Sequence, residues 1–167
     1  MMMEINQNYL ESVIKQFYYY KSLGEKAIDQ LEAKQLFYSA NENTNSIAVI
    51  VKHMHGNMLS RWTDFLTTDG EKTWRKRNDE FEQEIMEKAT VLKLWEEGWG
   101  CLFKAINSLN TDQLREIIFI RGEKHSVIEA INRQLAHYSY HIGQIVFAAK
   151  QLIEGDWKSL SIPKRKD

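Results

Sequence analysis

The sequence predicts an all-α protein built as a four-helix bundle. Three observations predict it. Proline is absent until Pro163, apolar residues recur at spacings of three and four through four long stretches, and polar capping signatures separate those stretches. An internal proline removes a helical donor and clashes with the preceding turn, so a chain without one is free to form long helices. Amphipathic helices with one apolar stripe each can bury those stripes only against one another.

The first helix is expected from about Ile5 to Leu31, with Leu10, Val13, Ile14, Phe17, Tyr20, Gly24, Ala27 and Leu31 on one face. Asn41 to Asn45 is a polar turn, after which Asn45 or Ser46 caps a second helix. That helix carries Ile47, Ile50, Val51, Met54, Met58, Trp62 and Phe65 inward and stops near Thr67 to Gly70. An irregular, charged segment follows, holding Trp74 between Lys72 and Arg75, and Asp79 to Glu82 reads as a capping box that opens a short helix.

Thr90 is the expected cap of the third main helix, whose stripe is Trp95, Trp99, Leu102, Ile106 and Leu109. Ile117 to Ile120 followed by Arg121-Gly122 predicts a brief extended piece and a turn. Ser126 and Glu129 form a second capping box, opening a fourth helix that Gly155 ends. A helix of about 20 residues is ~30 Å long, so a parallel neighbour needs a connection able to run that distance back. The stretch from Thr67 to Thr90 is long enough to make the second and third helices parallel partners.

The totals narrow the function classes. At 167 residues with 43% hydrophobic and 11% aromatic content, the chain is expected to form one domain over 1–167 with a substantial core. A net charge of −1 gives no field that would steer it to nucleic acid or to an anionic membrane, and no basic recognition helix is present. The basic Lys164, Arg165 and Lys166 read as a frayed, solubilising terminus. Cys101 stands alone, so no intramolecular disulfide forms, a reducing compartment is expected, and a core-facing inert thiol is the reading of that residue. Without a signal-like start or a run approaching ~20 apolar residues, a cytoplasmic protein is expected.

His137 and His141 carry the most chemical information. Residues four apart stack on one helical face, which lets two imidazoles grip one divalent ion. At about 100° per residue, with Tyr138 as the centre of the fourth helix's stripe, both histidines fall on one flank of it. On the second helix His53 and His55 lie on opposite flanks of Met54, and only one of them can complete a triad. Antiparallel second and fourth helices would select His53, and parallel ones His55. His125 precedes the helix and lies too far along the axis.

Three imidazoles with an open position make the donor set of a catalytic centre, with zinc or nickel as suitable ions. Asn57, Gln134 and Gln144 are candidates to orient ligands or substrate. No carboxylate stands out as a general base. A lone pair of histidines at this spacing is more often incidental. The motif also lacks the glutamate of zinc peptidases, because Tyr138 occupies that position. Trp62, Trp95 and Trp99 are expected in the core, whereas Trp74 is a candidate for a pocket mouth or a dimer contact.

The stretches Ser46 to Met54, Gly56 to Phe65 and His137 to Ile145 resemble the DinB-like (YfiT-like) four-helix-bundle superfamily, within it a bacterial branch of unknown function. The resemblance spans nearly the whole chain and implies an up-down-down-up bundle, in which the second and fourth helices are antiparallel. It therefore implies a divalent-metal site of His53, His137 and His141, and a homodimer. Relatives in that superfamily imply a low-molecular-weight-thiol S-transferase or a hydrolase acting on a small-molecule substrate. The competing expectation is a non-catalytic, dimeric, metal- or ligand-binding stress-associated protein.

Overall fold

Helix formation follows the apolar periodicity. The computed structural model describes residues 2–84 and 87–163. Its α-helices are α1 (Met2–Ile28), α2 (Ile47–Trp62), α3 (Lys88–Asn107) and α4 (Val127–Leu152), and a hairpin of β1 (Ile117–Ile120) and β2 (Glu123–Ser126) precedes α4. The strands pair antiparallel, from Ile117 opposite Ser126 to Ile120 opposite Glu123. Arg121 and Gly122 make the turn, both in the left-handed region at φ 57° and 75°. Among the described residues no helix is long and apolar enough to cross a membrane. The basic residues 164–166 lie outside the described part.

Caps and ends show where local chemistry prevailed. Ser46 Oγ accepts the Val49 N–H and starts α2, and Ser126 and Glu129 form a reciprocal capping box at α4. α1 ends three residues before Leu31, which reaches the core from a turn leading into a 3-10 turn at Ala33–Phe37. α2 ends at Trp62 rather than near Thr67: Thr63 is already extended, at φ −70° and ψ 121°, and Asp64 after it turns left-handed at φ 46°. Thr90 lies inside the first turn of α3, whose cap position is Glu87. Asp79 to Glu82 forms no capping box; Asn78–Phe81 is a 3-10 turn. α4 stops at Leu152, before Gly155.

The helices meet along their stripes in a definite order. Gly98 of α3 admits the Met58 sulfur and the His55 backbone, and one turn on Cys101 Sγ lies 3.7 Å from Thr63 Oγ1. Contacts thus advance in the same sense along α2 and α3. They also advance together along α1 and α4, where Tyr9 donates to Asn132 Oδ1 at 2.8 Å and Gly24 lies against Ile142. Between α2 and α4 the order reverses: His53 faces His141, while Trp62 donates to the Tyr138 hydroxyl at 3.1 Å.

Phe17, Trp99 and Tyr138 are fully buried, with the Phe17 ring centroid 6.1 Å from Tyr138 and 6.5 Å from Trp99. Trp62 and Trp95 join them in the core, as expected from their stripes. Cys101 is half-buried beside Thr63, not in the core as its stripe position suggested. It sits on the edge of the α2–α3 seam, where the groove lined by Thr63 and Lys104 opens.

Gly24 allows α1 to approach the others closely, since a Cβ there would overlap the Trp95 indole and press on Ile142. Gly24→Ala is expected to destabilise the protein by about 1–3 kcal/mol through overpacking, despite its gain in helix propensity. Gly100→Ala, where an added Cβ meets nothing within 4 Å, is expected to stabilise by about 0.5–1 kcal/mol. Urea denaturation of the two variants reads the opposite signs.

Candidate metal centre

Helical spacing sets the first part of the site. His137 and His141 stand one turn apart on α4, with ring centroids 4.6 Å apart and Nε2 atoms at 3.0 Å. His53 comes across from α2, its Nε2 at 3.4 Å from His137 Nε2. The three donor atoms lie within 4.8 Å of one another. His53 is buried, His141 nearly so, and His137 is half-exposed.

The opposite ring nitrogens are held by acceptors. His53 Nδ1 lies 2.9 Å from Glu80 Oε2, and a carboxylate only accepts, so Nδ1 carries the proton. His141 Nδ1 lies 2.8 Å from Gln144 Oε1, whose amide is turned this way because its Nε2 donates to the Tyr140 hydroxyl at 3.0 Å. Both Nε2 atoms are therefore lone pairs directed at His137. A proton on His137 Nε2 can satisfy only one of them, whereas a cation at the centre satisfies all three nitrogens. Two nitrogens bound at 2.0–2.1 Å to a tetrahedral ion are about 3.3 Å apart, close to both separations seen here. The residues fit a divalent ion held by imidazoles, and Glu80 and Gln144 have the places that fix ligand tautomers in such centres.

Glu80 arrives from the connection between α2 and α3. Arg75 grips it at both oxygens, Nε to Oε1 at 2.7 Å and NH2 to Oε2 at 2.8 Å. The Arg75 side chain is 2% exposed and that of Glu80 is 9% exposed, so this is a buried pair. Gly56, one turn beyond His53, leaves the space that the carboxylate fills. The Phe81 ring covers His53 with centroids 4.7 Å apart. Burial pushes the Glu80 carboxyl up, but the bonds from Arg75 and His53 outweigh it and hold it below the usual range.

Behind Arg75 the charges continue. Glu71 lies 3.6 Å from Arg75 NH1 and accepts from Arg61 and Arg121, each at 3.0 Å. Asp69 accepts the backbone N–H of Arg121 at 2.9 Å and of Gly122 at 2.7 Å, which ties the connection to the hairpin turn.

The structure brings together His53, His137 and His141, and keeps the other histidines apart. His55 faces α3, its Nε2 3.3 Å from Glu97 Oε2, and His125 sits on β2 beside Glu123. Of the residues read as orienting groups, Gln144 alone touches the triad. Asn57 accepts instead from the Tyr138 hydroxyl at 3.0 Å, and Gln134 lines a small space beside Arg61 and Trp62, its Oε1 buried without a partner among the described residues. Glu80 and Arg75 escaped the sequence reading because they lie in an irregular segment. Gly56 was the available signal, since a glycine inside a helix costs about 1 kcal/mol and marks a close approach. Trp74 is exposed on the same connection.

Fold and site together define a helical bundle with a candidate three-histidine metal centre between its second and fourth helices. The chain belongs to the family described as "Protein of unknown function (DUF1572)", whose model matches residues 4–166. No curated protein and no solved structure matches it in the corresponding comparisons.

Burial, with His141 and His53 nearby, lowers His137 to about 3. An unfolded histidine titrates near 6.5, so below that pH the unfolded chain takes up a proton that the folded one refuses. This contribution to stability is fully present above pH 6.5 and is lost as pH falls towards 3. Chelator-treated protein is expected to melt at progressively lower temperature through this window. His137→Asn is expected to flatten the part of the profile between pH 6.5 and 5, where carboxylates contribute little.

Proposed function

We propose that this protein is a divalent-metal-dependent enzyme acting on a small molecule, with zinc or nickel held by Nε2 of His53, His137 and His141. One observation carries the reading: three imidazole nitrogens converge while acceptors hold the far nitrogens of His53 and His141. A bound ion would supply Lewis acidity, lowering the pKa of a coordinated water or thiol. The chain's own residues have the other tasks. Glu80, fixed by Arg75, orients His53; Gln144 orients His141; Phe81 shields His53 from water on one side.

The reaction we favour is transfer to or from a low-molecular-weight thiol, with hydrolysis second. Glu80 is committed to Arg75 and to His53 Nδ1, so it is a poor proton acceptor for a water on the Nε2 side. A thiol brings its own nucleophile and needs no such base. The likeness to DinB-like bundles supports the same reading. So does the order of helix contacts, which fits an up-down-down-up arrangement of one domain. Exposed Trp74 favours a second reading, a homodimer that binds metal or ligand without turnover.

Protein purified without an affinity tag is expected to carry close to one divalent ion per chain by elemental analysis. His137→Ala is expected to lose it while keeping its helical circular-dichroism spectrum. Unchanged metal content in that variant would remove the centre from consideration.

Orientation of His53 has its own test. Glu80→Gln is expected to weaken metal binding about 10–100-fold, measured by competition with a chelator. Gly56→Ala keeps every ligand yet fills the carboxylate's space, and is expected to weaken binding in the same direction. Affinity unchanged from the unaltered protein in both variants would show that Glu80 does not position the ligand.

A further inference from the structure

A cleft of about 530 Å³ lies between the segment 38–45 and the last turns of α4. Its apolar side is formed by Ile50, Ala148 and Leu152, with Phe147 exposed at the lip. Asn43, Asn45 and Gln151 present side-chain amides that have no partner among the described residues. Gln144 also lines it, and is the residue that holds His141 Nδ1 at 2.8 Å. The cleft is therefore one side chain away from the histidine triad.

Its lining contains no Asp, Glu, Lys, Arg or His, although charged residues make up 27% of the chain. A charged ligand group entering it would lose hydration without gaining a counter-ion. Amides each offer donors and an acceptor and suit neutral polar groups of either kind. The volume lies within the range of about 300–1,000 Å³ typical of small-molecule sites.

We propose that this cleft binds an uncharged small molecule carrying amide or hydroxyl groups on an apolar body, at a site behind His141, on its Nδ1 side and apart from the converging Nε2 atoms. Its ligand selectivity does not rest on the metal-dependent reading. The polar groups of the ligand meet Asn43, Asn45 and Gln151, and its apolar body lies on Ile50 and Ala148. Ligands bearing carboxylates are disfavoured here, and neutral ones are favoured.

The test uses three probes of one skeleton: neutral N-acetyl-L-phenylalaninamide, anionic N-acetyl-L-phenylalanine and protonated L-phenylalaninamide. Each is titrated into ¹⁵N-labelled full-length protein, reading the amides of Gln144, Phe147 and Gln151. The neutral probe is expected to give saturable shifts there, with affinity roughly tenfold above either charged probe. Gln151→Lys, an exposed change at the rim, is expected to raise the anion to at least the affinity of the neutral probe. Equal binding of a charged probe to the unaltered protein, no shifts at the cleft, or unchanged selectivity in Gln151→Lys would each overturn the proposal. Titrating His137→Ala separates the two readings. Neutral-probe shifts that persist in that variant, which is expected to bind no metal, show that the cleft binds independently of the centre, whereas unaltered protein that carries no metal sinks only the metal-dependent reading.

Discussion

A buried phenol fixes the register on which the candidate centre depends. Tyr138 is fully enclosed, so burial drives its pKa up and keeps its hydroxyl neutral, and its hydrogen bonds must be met inside the protein. Both partners lie on α2: the hydroxyl accepts from Trp62 Nε1 and donates to Asn57 Oδ1. Apolar stripes alone tolerate sliding, because burial is non-directional. Two directed bonds spanning more than a turn of α2 do not. Once Tyr138 is seated between Asn57 and Trp62, His137 beside it and His53 one turn before Asn57 have little choice but to meet. The pairing of His53 with α4 thus follows from core packing. His55, two residues on, faces Glu97 of α3 instead.

The second constraint is a run of buried charge. Arg75 and Glu80 are both withdrawn from water, and a buried ion pair recovers its desolvation cost only when its geometry is close and its other donors are met. Here the contact is bidentate, His53 takes part of the carboxylate's remaining capacity, and Glu71 lies near the outer face of the guanidinium. Glu71 in turn joins Arg61 of α2 to Arg121 of the hairpin turn. The stretch from Asp69 to Glu80 is therefore a strap, anchored to the hairpin by Asp69 and ending at His53. Such a chain is weak evidence for stability, since well-packed apolar residues often do as well. Its stronger consequence is geometric, because it leaves the His53 ring one orientation.

Periodicity made the helices legible from sequence, and a two-way choice made the triad nearly so. Stripes such as Trp95, Trp99, Leu102 and Ile106 carry their own direction, and the serine caps are local, so neither needed tertiary knowledge. The choice between His53 and His55 did need it, since it turns on the relative direction of two helices and came from a family likeness. Glu80 was misread for a related reason. An acidic run before a helix has the composition of a capping box, and nothing local says that one of its carboxylates turns inward to an arginine five residues earlier. Ends were misplaced where tertiary demands overrode propensity, as at Thr63 and Asp64, where extended and then left-handed backbone takes the chain out of α2 while Phe65 still packs in the core.

These constraints bear directly on which chemistry the proposed centre suits. General-base catalysis needs a group free to accept a proton near the reacting atom, with a pKa close to the working pH. Glu80 is held below its ordinary range and lies on the far side of an imidazole from the converging nitrogens. Gln144, which holds His141 Nδ1, is an amide and not a proton acceptor. On the proposed reading, activation therefore falls to the ion, and orientation of its ligands falls to Glu80 and Gln144. That division suits a substrate that coordinates through its own ionisable atom, such as a thiol, better than a reaction that must generate hydroxide and shuttle its proton away.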